Sequence, residues 1–320
     1  MTKYIIKRLL QTIPTLLAIS FLVFSILYIT PGDPVLLMLA ASETSTVDPA
    51  SYAAVQKDLG LDKPFFVRYV DFISKAVQGD LGRSYITNQK IFPTVMERMP
   101  ATLQLTFSAL LIALLISIPL GVLAAIKQGS IWDNIATFLA TISVSLPGFW
   151  FGMLLIIFFA LNLRLLPSFG MGDIDKGIGD VIRHLILPAT ALGTSLAAML
   201  TRMTRSSMIE VLNQDYVTVA RSKGLKERTV IYIHALKNAL IPIITVLGAQ
   251  FGSLLGGAIV TETIFAWPGV GRLAVNAIGK RDFPMIQGNT LIICTGFIMV
   301  NLIVDILYGV LDPRISFTEK

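Results

Sequence analysis

Six stretches of the chain contain no lysine, arginine, aspartate or glutamate: residues 9–29, 101–126, 134–163, 185–201, 238–261 and 283–304, which are 21, 26, 30, 17, 24 and 22 residues long. A helix needs roughly 20 apolar residues to cross the hydrocarbon core of a bilayer, and every run lies near that length. All 46 charged residues fall in the other 180, which are 26% charged and ordinary for a soluble protein. The overall figure of 14% charged is therefore an average over two materials. A soluble enzyme, a nucleic-acid-binding domain and a disulfide scaffold are excluded, and the expected class is an all-α integral membrane protein with six transmembrane helices.

Lys3, Lys7 and Arg8 ahead of an apolar run resemble a secretory signal. Signal cores span about 7–15 residues, however, and this run has 21, so an uncleaved first span is expected. Cys294 is the only cysteine and lies inside the last run, so no intrachain disulfide can form. His184 and His234 stand fifty residues apart with no clustered cysteines, and the ligand count predicts no metal site.

Six spans place both chain ends on one side. Residues 1–8, 127–133, 202–237 and the tail from Asp305 then carry 13 basic and 7 acidic residues, whereas the opposite side carries 13 of each. The 71-residue segment 30–100 is too long for its charges to count, which leaves 13 basic residues against 6. The N-terminus, the 202–237 loop and the C-terminus are expected to be cytoplasmic. Segment 30–100 carries Phe65, Phe66, Tyr69, Val70, Phe72 and Ile73 at helical spacing, punctuated by Pro64, Gly79 and Gly82. A small helical cap on the outer face is predicted, either a folded connector or a surface for an external partner.

Three spans are irregular. The third has Pro147 and Gly148 near its middle. A proline there removes a helical hydrogen bond and clashes with the preceding turn, so this run is kinked or broken, either for packing or to line a cavity. In the fifth, Gly248, Gly252 and Gly256 form a ridge without side chains, suited to close helix packing. Gln250, Ser253, Gly257 and Thr261 make a second, weakly polar face that could pack against a helix or meet a translocating solute. The last span ends with Asn301, Asp305, Tyr308 and Asp312 on one stripe. Asn301 and Asp305 are candidates for the pathway, although Asp305 is also placed to reach the interface.

The 202–237 loop contains a short capped helix. Asp215 is expected to accept from the free amides of its first turn, Arg221 and Lys223 suit the negative end of its dipole, and Gly224 fits the left-handed residue that closes it. Leu225 supplies the apolar contact beyond. Residues 216–223 span about 12 Å, too short for an isolated helix to hold in water, so it must dock. Tyr216, Val219 and Ala220 form an apolar side suited to a groove on another protein.

Residues 215–225, followed by His234-Ala-Leu-Lys-Asn-Ala-Leu-Ile-Pro242, resemble the cytoplasmic EAA-type signature of the membrane subunits of binding-protein-dependent ABC importers, in the peptide/nickel group. Thr218-Val-Ala220 stands where Glu-Ala-Ala would be, and the proline comes later than in the general pattern. More specific to the group are Tyr4-Ile-Ile-Lys-Arg-Leu-Leu with Pro14, Pro31-Gly-Asp-Pro34, Leu59-Gly-Leu-Asp-Lys-Pro64, Gly79-Asp-Leu-Gly82, Pro100-Ala-Thr-Leu103 and Ile264-Phe-Ala-Trp-Pro-Gly-Val-Gly-Arg272. The resemblance runs from Tyr4 to Asp312-Pro-Arg314, nearly the whole chain.

This resemblance implies a type I ABC importer permease fold. The segments would be 1–30 with the first span, an extracytoplasmic insertion 31–100, a five-helix core 101–314 containing the coupling loop 202–237, and a tail 315–320. It also implies a second homologous permease subunit, two ATP-binding subunits that hold ATP and magnesium, and an outer solute-binding protein. The helix from Tyr216 to Gly224 would be the coupling helix seated in the ATPase. The chain has no Gly-x-x-x-x-Gly-Lys-Ser/Thr phosphate loop, so it is expected to have no cofactor and no catalysis of its own, and no nucleic-acid partner. Peptides, including glutathione, are the expected solute, with nickel or a metal chelate as the alternative. A stand-alone secondary transporter or channel is the reading from another class, but no internal repeat or mid-span charge supports it.

Overall fold

A computed structural model describes residues 2–29, 35, 52–53, 56 and 62–311; at 2–7, 26–29, 249, 257, 305 and 307–311 only the backbone is described. The motifs at 31–34 and 312–314, half of that at 59–64, and the tail 315–320 lie outside the described residues, as does most of the 31–61 stretch. Among the described residues there is no β-strand. The helices are α1 (Thr2–Ile29), α2 (Phe65–Val77), α3 (Ile91–Ile126), α4 (Ile131–Ser145), α5 (Gly148–Leu155), α6 (Ile178–Leu212), α7 (Asp215–Ser222), α8 (Glu227–Thr229), α9 (Leu236–Ile264), α10 (Val270–Gly279) and α11 (Phe283–Leu311). Among the described residues, five helices are long and apolar enough to cross a membrane, and α4 with the helix after it makes a sixth if that bent pair is one span.

The chain divides into two compact units, residues 1–100 with 269–320 and residues 101–268. In the first, α1 packs along α11. Phe65, Tyr69 and Phe72 recur at i, i+4 and i+7 of α2, which puts them on one face. That face meets Phe21 and Phe24 of α1, with ring centroids 5.3–5.7 Å apart, and the Tyr69 hydroxyl donates to the Leu17 carbonyl at 3.1 Å. The helical spacing at 65–73 is thus realised as a helix held to the first span. Beyond it, Gly79 and Gly82 both adopt φ +81°, a backbone that admits glycine without strain. They turn the chain so that Leu81 packs with Ile91, Val95, Val270, Ala277 and Met285. The buried Asp282 accepts from the Ser84 hydroxyl, and Asn289 Nδ2 donates to the Val270 carbonyl at 2.9 Å.

In the second unit, α3 and α6 approach so closely that side chains would not fit between them. A methyl on Gly193 would lie 2.5 Å from the Ala109 carbonyl oxygen, and one on Gly121 would lie 2.5 Å from Thr204 Cβ. Contacts advance together from 109 to 121 on α3 and from 193 to 204 on α6, so these two helices run parallel. The contacts of α6 with α9 run the other way: Met199 faces Gln250, while Ser207 donates to the Ala239 carbonyl at 3.0 Å. At the end formed by residue 101 and the close of α9, Trp267 is fully buried and donates through Nε1 to the Ala101 carbonyl at 2.8 Å. Glu262, also fully buried, accepts from the Thr102 hydroxyl at 2.5 Å. The Phe265 carbonyl accepts from the Gly170 amide at 2.9 Å.

Between α4 and α5 the chain bends by 106°. Leu146 sits at φ −85°, ψ 131°, the extended conformation forced on the residue before a proline, and Pro147 opens α5 from the N-cap. The third span is therefore broken rather than merely kinked. A cavity of 340 Å³ lies at the break, walled by α4 through Ala136, Ala140 and Ser143 and by α6 through Thr194, Ala198 and Thr201.

Candidate functional site

The short helix predicted in the polar loop exists as α7, eight residues or about 12 Å long. It begins one residue earlier than predicted. Gln214, extended at ψ 148°, occupies the N-cap without a side-chain hydrogen bond, and its carbonyl accepts from the amides of Val217 and Thr218 at 3.0 and 3.3 Å. Asp215 therefore caps nothing. Already inside the first turn, its carboxylate acts on the positive end of the helix dipole instead. Lys223 closes the helix, and Gly224 follows at φ +76° with its amide donating to the Arg221 carbonyl at 2.9 Å. Nothing lies within 4 Å of where a Gly224 side chain would begin, so backbone conformation alone favours glycine there.

The apolar residues of α7 split into two faces. Val217 and Ala220 are buried against Val230 and Leu212, while Tyr216, Val219 and Leu225 remain 43%, 52% and 41% exposed. Ala220, expected on the outward face, belongs to the inward one, and Val217 was missed. On a two-turn helix both stripes look alike in sequence, and only the return of Val230 decides which is covered. The Tyr216 hydroxyl accepts from Asn238 Nδ2 at 2.7 Å, which orients the exposed ring. Arg221 pairs with Glu227 at 2.8 Å. That hydrogen bond pushes the already high pKa of the guanidinium further up. Because both partners are substantially exposed, the pair positions the loop more than it stabilises it.

The other predicted residues are dispersed. On α9, Gln250 is half-buried and Ser253 exposed, but Thr261 is only 9% exposed, so the polar stripe does not present one open face. Gly257 and Asp305 keep their places on α9 and α11, with their side-chain surroundings outside the described residues, and Asn301 is half-buried on α11. Of the glycine ridge, Gly248 is half-buried and Gly252 buried, whereas nothing within this chain lies within 4 Å of a methyl at Gly256. A close approach that the periodicity did not mark is made by Gly121 and Gly193. Sequence reasoning also missed the Asp133–Arg205 ion pair, which joins the start of α4 to the last turns of α6. Arg205 Nε and Nη2 donate to the two oxygens of Asp133 at 2.5 and 2.7 Å. Asp133 directly precedes one uncharged run and Arg205 lies just beyond another, but their 72-residue separation gives no local signal.

A family described as the binding-protein-dependent transport system inner membrane component matches residues 117–317, and its companion N-terminal family matches residues 1–106. The chain belongs to this permease family. The dipeptide transport system permease protein DppB of Escherichia coli strain K12 is 43% identical over 338 residues, covering 98% of this chain and 99% of that protein. The oligopeptide transport system permease protein AppB of Bacillus subtilis is 42% identical over 99% of this chain and 100% of its own length. The glutathione transport system permease protein GsiC of Escherichia coli O6:H1 is 40% identical over the same shares. Among solved structures, an inward-facing conformation of the MetNI methionine ABC transporter aligns with a TM-score of 0.54 at 17% identity, over 68% of this chain and 96% of that one. The permease therefore has the type I ABC importer fold, with the extra N-terminal segment its family carries, and is a multi-pass inner-membrane protein.

Proposed function

We propose that this permease forms half of the pathway of an ATP-driven importer of short peptides, and that α7 with Gly224 couples the pathway to a cytoplasmic ATPase. The observation that carries the coupling role is the exposed Tyr216–Val219–Leu225 face, on a short helix rooted through its opposite face in Val217, Ala220 and Val230. Such a helix moves with the spans on either side of it and offers an apolar plug to a groove. In this reading the N-terminus, the α6–α9 connection and the C-terminus face the cytoplasm. A second permease subunit completes the pathway, two ATP-binding subunits hold ATP and magnesium, and a solute-binding protein delivers cargo outside. Closure of the ATPase pair drives α7, which tilts the spans as rigid bodies. The peptide assignment follows the named relatives, whose cargoes are dipeptides, oligopeptides and glutathione.

The test is Gly224→Val in proteoliposomes containing both permeases, the ATPases and the binding protein. At φ +76° a side chain costs about 1–2 kcal/mol of backbone strain, and more if β-branched. The variant is expected to insert normally, to co-purify less ATPase and to take up labelled dipeptide about tenfold more slowly. Unchanged uptake would remove the coupling role. Uptake of nickel but not of dipeptide by the unaltered complex would remove the peptide reading.

A further inference from the structure

One turn of α6 joins three other helices of the same unit. Thr204 packs where Gly121 of α3 lacks a side chain, Arg205 holds Asp133 of α4, and Ser207 donates to the Ala239 carbonyl of α9. Met208 adds a fully buried contact with Val122, Ala125, Ile231, Ala235 and Ala239. From Arg205 to the end of α6 is seven residues, about 10 Å. Only Asn213 and Gln214 then precede α7, with their amides bonded back to Glu210 and Val211 at 3.3 and 3.1 Å. A displacement of α7 therefore reaches this turn with little slack.

The ion pair also sits where it can pass that displacement on. Asp133, Ala136, Ala140 and Ser143 share one face of α4, and Thr194, Ala198, Thr201 and Arg205 share one face of α6. Apart from the pair, these residues wall the 340 Å³ cavity at the broken span, and Asp133 and Arg205 lie one turn beyond its last lining residues on each helix, Ala136 and Thr201. Two parallel bonds between guanidinium and carboxylate fix orientation as well as distance. Asp133, whose side chain is only 5% exposed, also accepts from the Gly129 amide at 2.9 Å, which ties it to the turn that starts α4.

We propose that Asp133 and Arg205 are positioning residues that lock α4 to α6, so that movement of α7 shifts both walls of this cavity together. The proposal rests on the reading of α7 as the coupling helix. Without the pair, α6 still follows the ATPase but α4 lags, and ATP is hydrolysed with less transport.

The measurement is labelled dipeptide taken up per ATP hydrolysed, in proteoliposomes of the complete complex. Asp133→Asn is expected to assemble with the ATPases in normal yield and to hydrolyse ATP within about twofold of the unaltered complex, yet to take up at least fivefold less dipeptide per ATP. The exchanged pair Asp133→Arg with Arg205→Asp should recover most of that ratio. An unchanged ratio in Asp133→Asn overturns the proposal, as does a parallel loss of assembly, hydrolysis and uptake, which marks a purely structural bond. If Asp133→Asn fails to accumulate, the same ratio in Asp133→Glu decides, with a two- to fivefold drop expected and no drop refuting. Normal uptake in Gly224→Val alongside a lowered ratio in Asp133→Asn would fault the coupling helix and not the ion pair.

Discussion

Gly193→Ala adds one methyl at the closest approach of α3 and α6. The new carbon would lie 2.5 Å from the Ala109 carbonyl oxygen, 3.2 Å from its carbon and 3.4 Å from its Cα. All three are backbone atoms, so no rotamer change relieves the clash, and the helices must separate by about 0.5 Å to reach even the 3.0 Å that real contacts respect. Overpacking of this kind costs typically ~1–3 kcal/mol. At about 2 kcal/mol the folded-to-unfolded ratio falls roughly 30-fold. The assay is an SDS unfolding titration of the purified chain in mixed micelles, followed by the fluorescence of its three tryptophans. Gly256→Ala is the internal comparison. It too is helical, but nothing lies within 4 Å of the added methyl, and helix propensity favours alanine by about 0.5–1 kcal/mol. Gly193→Ala should shift the midpoint to lower SDS and Gly256→Ala should leave it unchanged or raise it. Equal midpoints for the two variants would refute the close approach and with it the pairing of α3 with α6.

In a chain whose native Cys294 has been replaced by alanine, Ser253→Cys should react with small aqueous thiol reagents in at least one nucleotide state of the reconstituted complex, while Thr261→Cys, 9% exposed, stays protected. Equal labelling rates at the two positions would refute the division of the α9 polar stripe. Trp267→Phe keeps an aromatic ring but removes the indole donor to the Ala101 carbonyl, which retains its helical position in α3, so the cost is that of one hydrogen bond, about 0.5–1.5 kcal/mol. The same SDS titration measures it, and a midpoint equal to that of the unaltered chain would show that the bond contributes nothing.

What could be read from the sequence was what depends on one residue or on a continuous run. Absence of charge marked the spans because an unpaired charge in hydrocarbon is costly wherever it sits, and Pro147 marked the break because its steric effect falls on Leu146 alone. Gly224 marked the end of α7 for the same local reason. The inward face of α7, the glycine packing at Gly121 and Gly193 and the buried partners of Asp133 and Glu262 all depend on residues far along the chain. Periodicity pointed to Gly248, Gly252 and Gly256 but gave no sign of the close packing at Gly121 and Gly193, one on each of two helices, a pattern no single-helix period reveals. The span count shows the same limit. Six uncharged runs suggested six crossings, yet a break of 106° in the third is equally compatible with a loop that enters and leaves on one side. The facing pairs 109 with 193 and 121 with 204 decide between them. Had the chain re-entered on the same side, α6 would run antiparallel to α3. Because the two run parallel, the chain between Ile126 and Ile178 must cross once, and α4 with α5 and its π-helical extension Ile156–Asn162 are the described helices that can carry it. The broken pair is therefore one span, and residues 127–133 and 202–237 lie at the same end of their unit, where Asp133 and Arg205 meet.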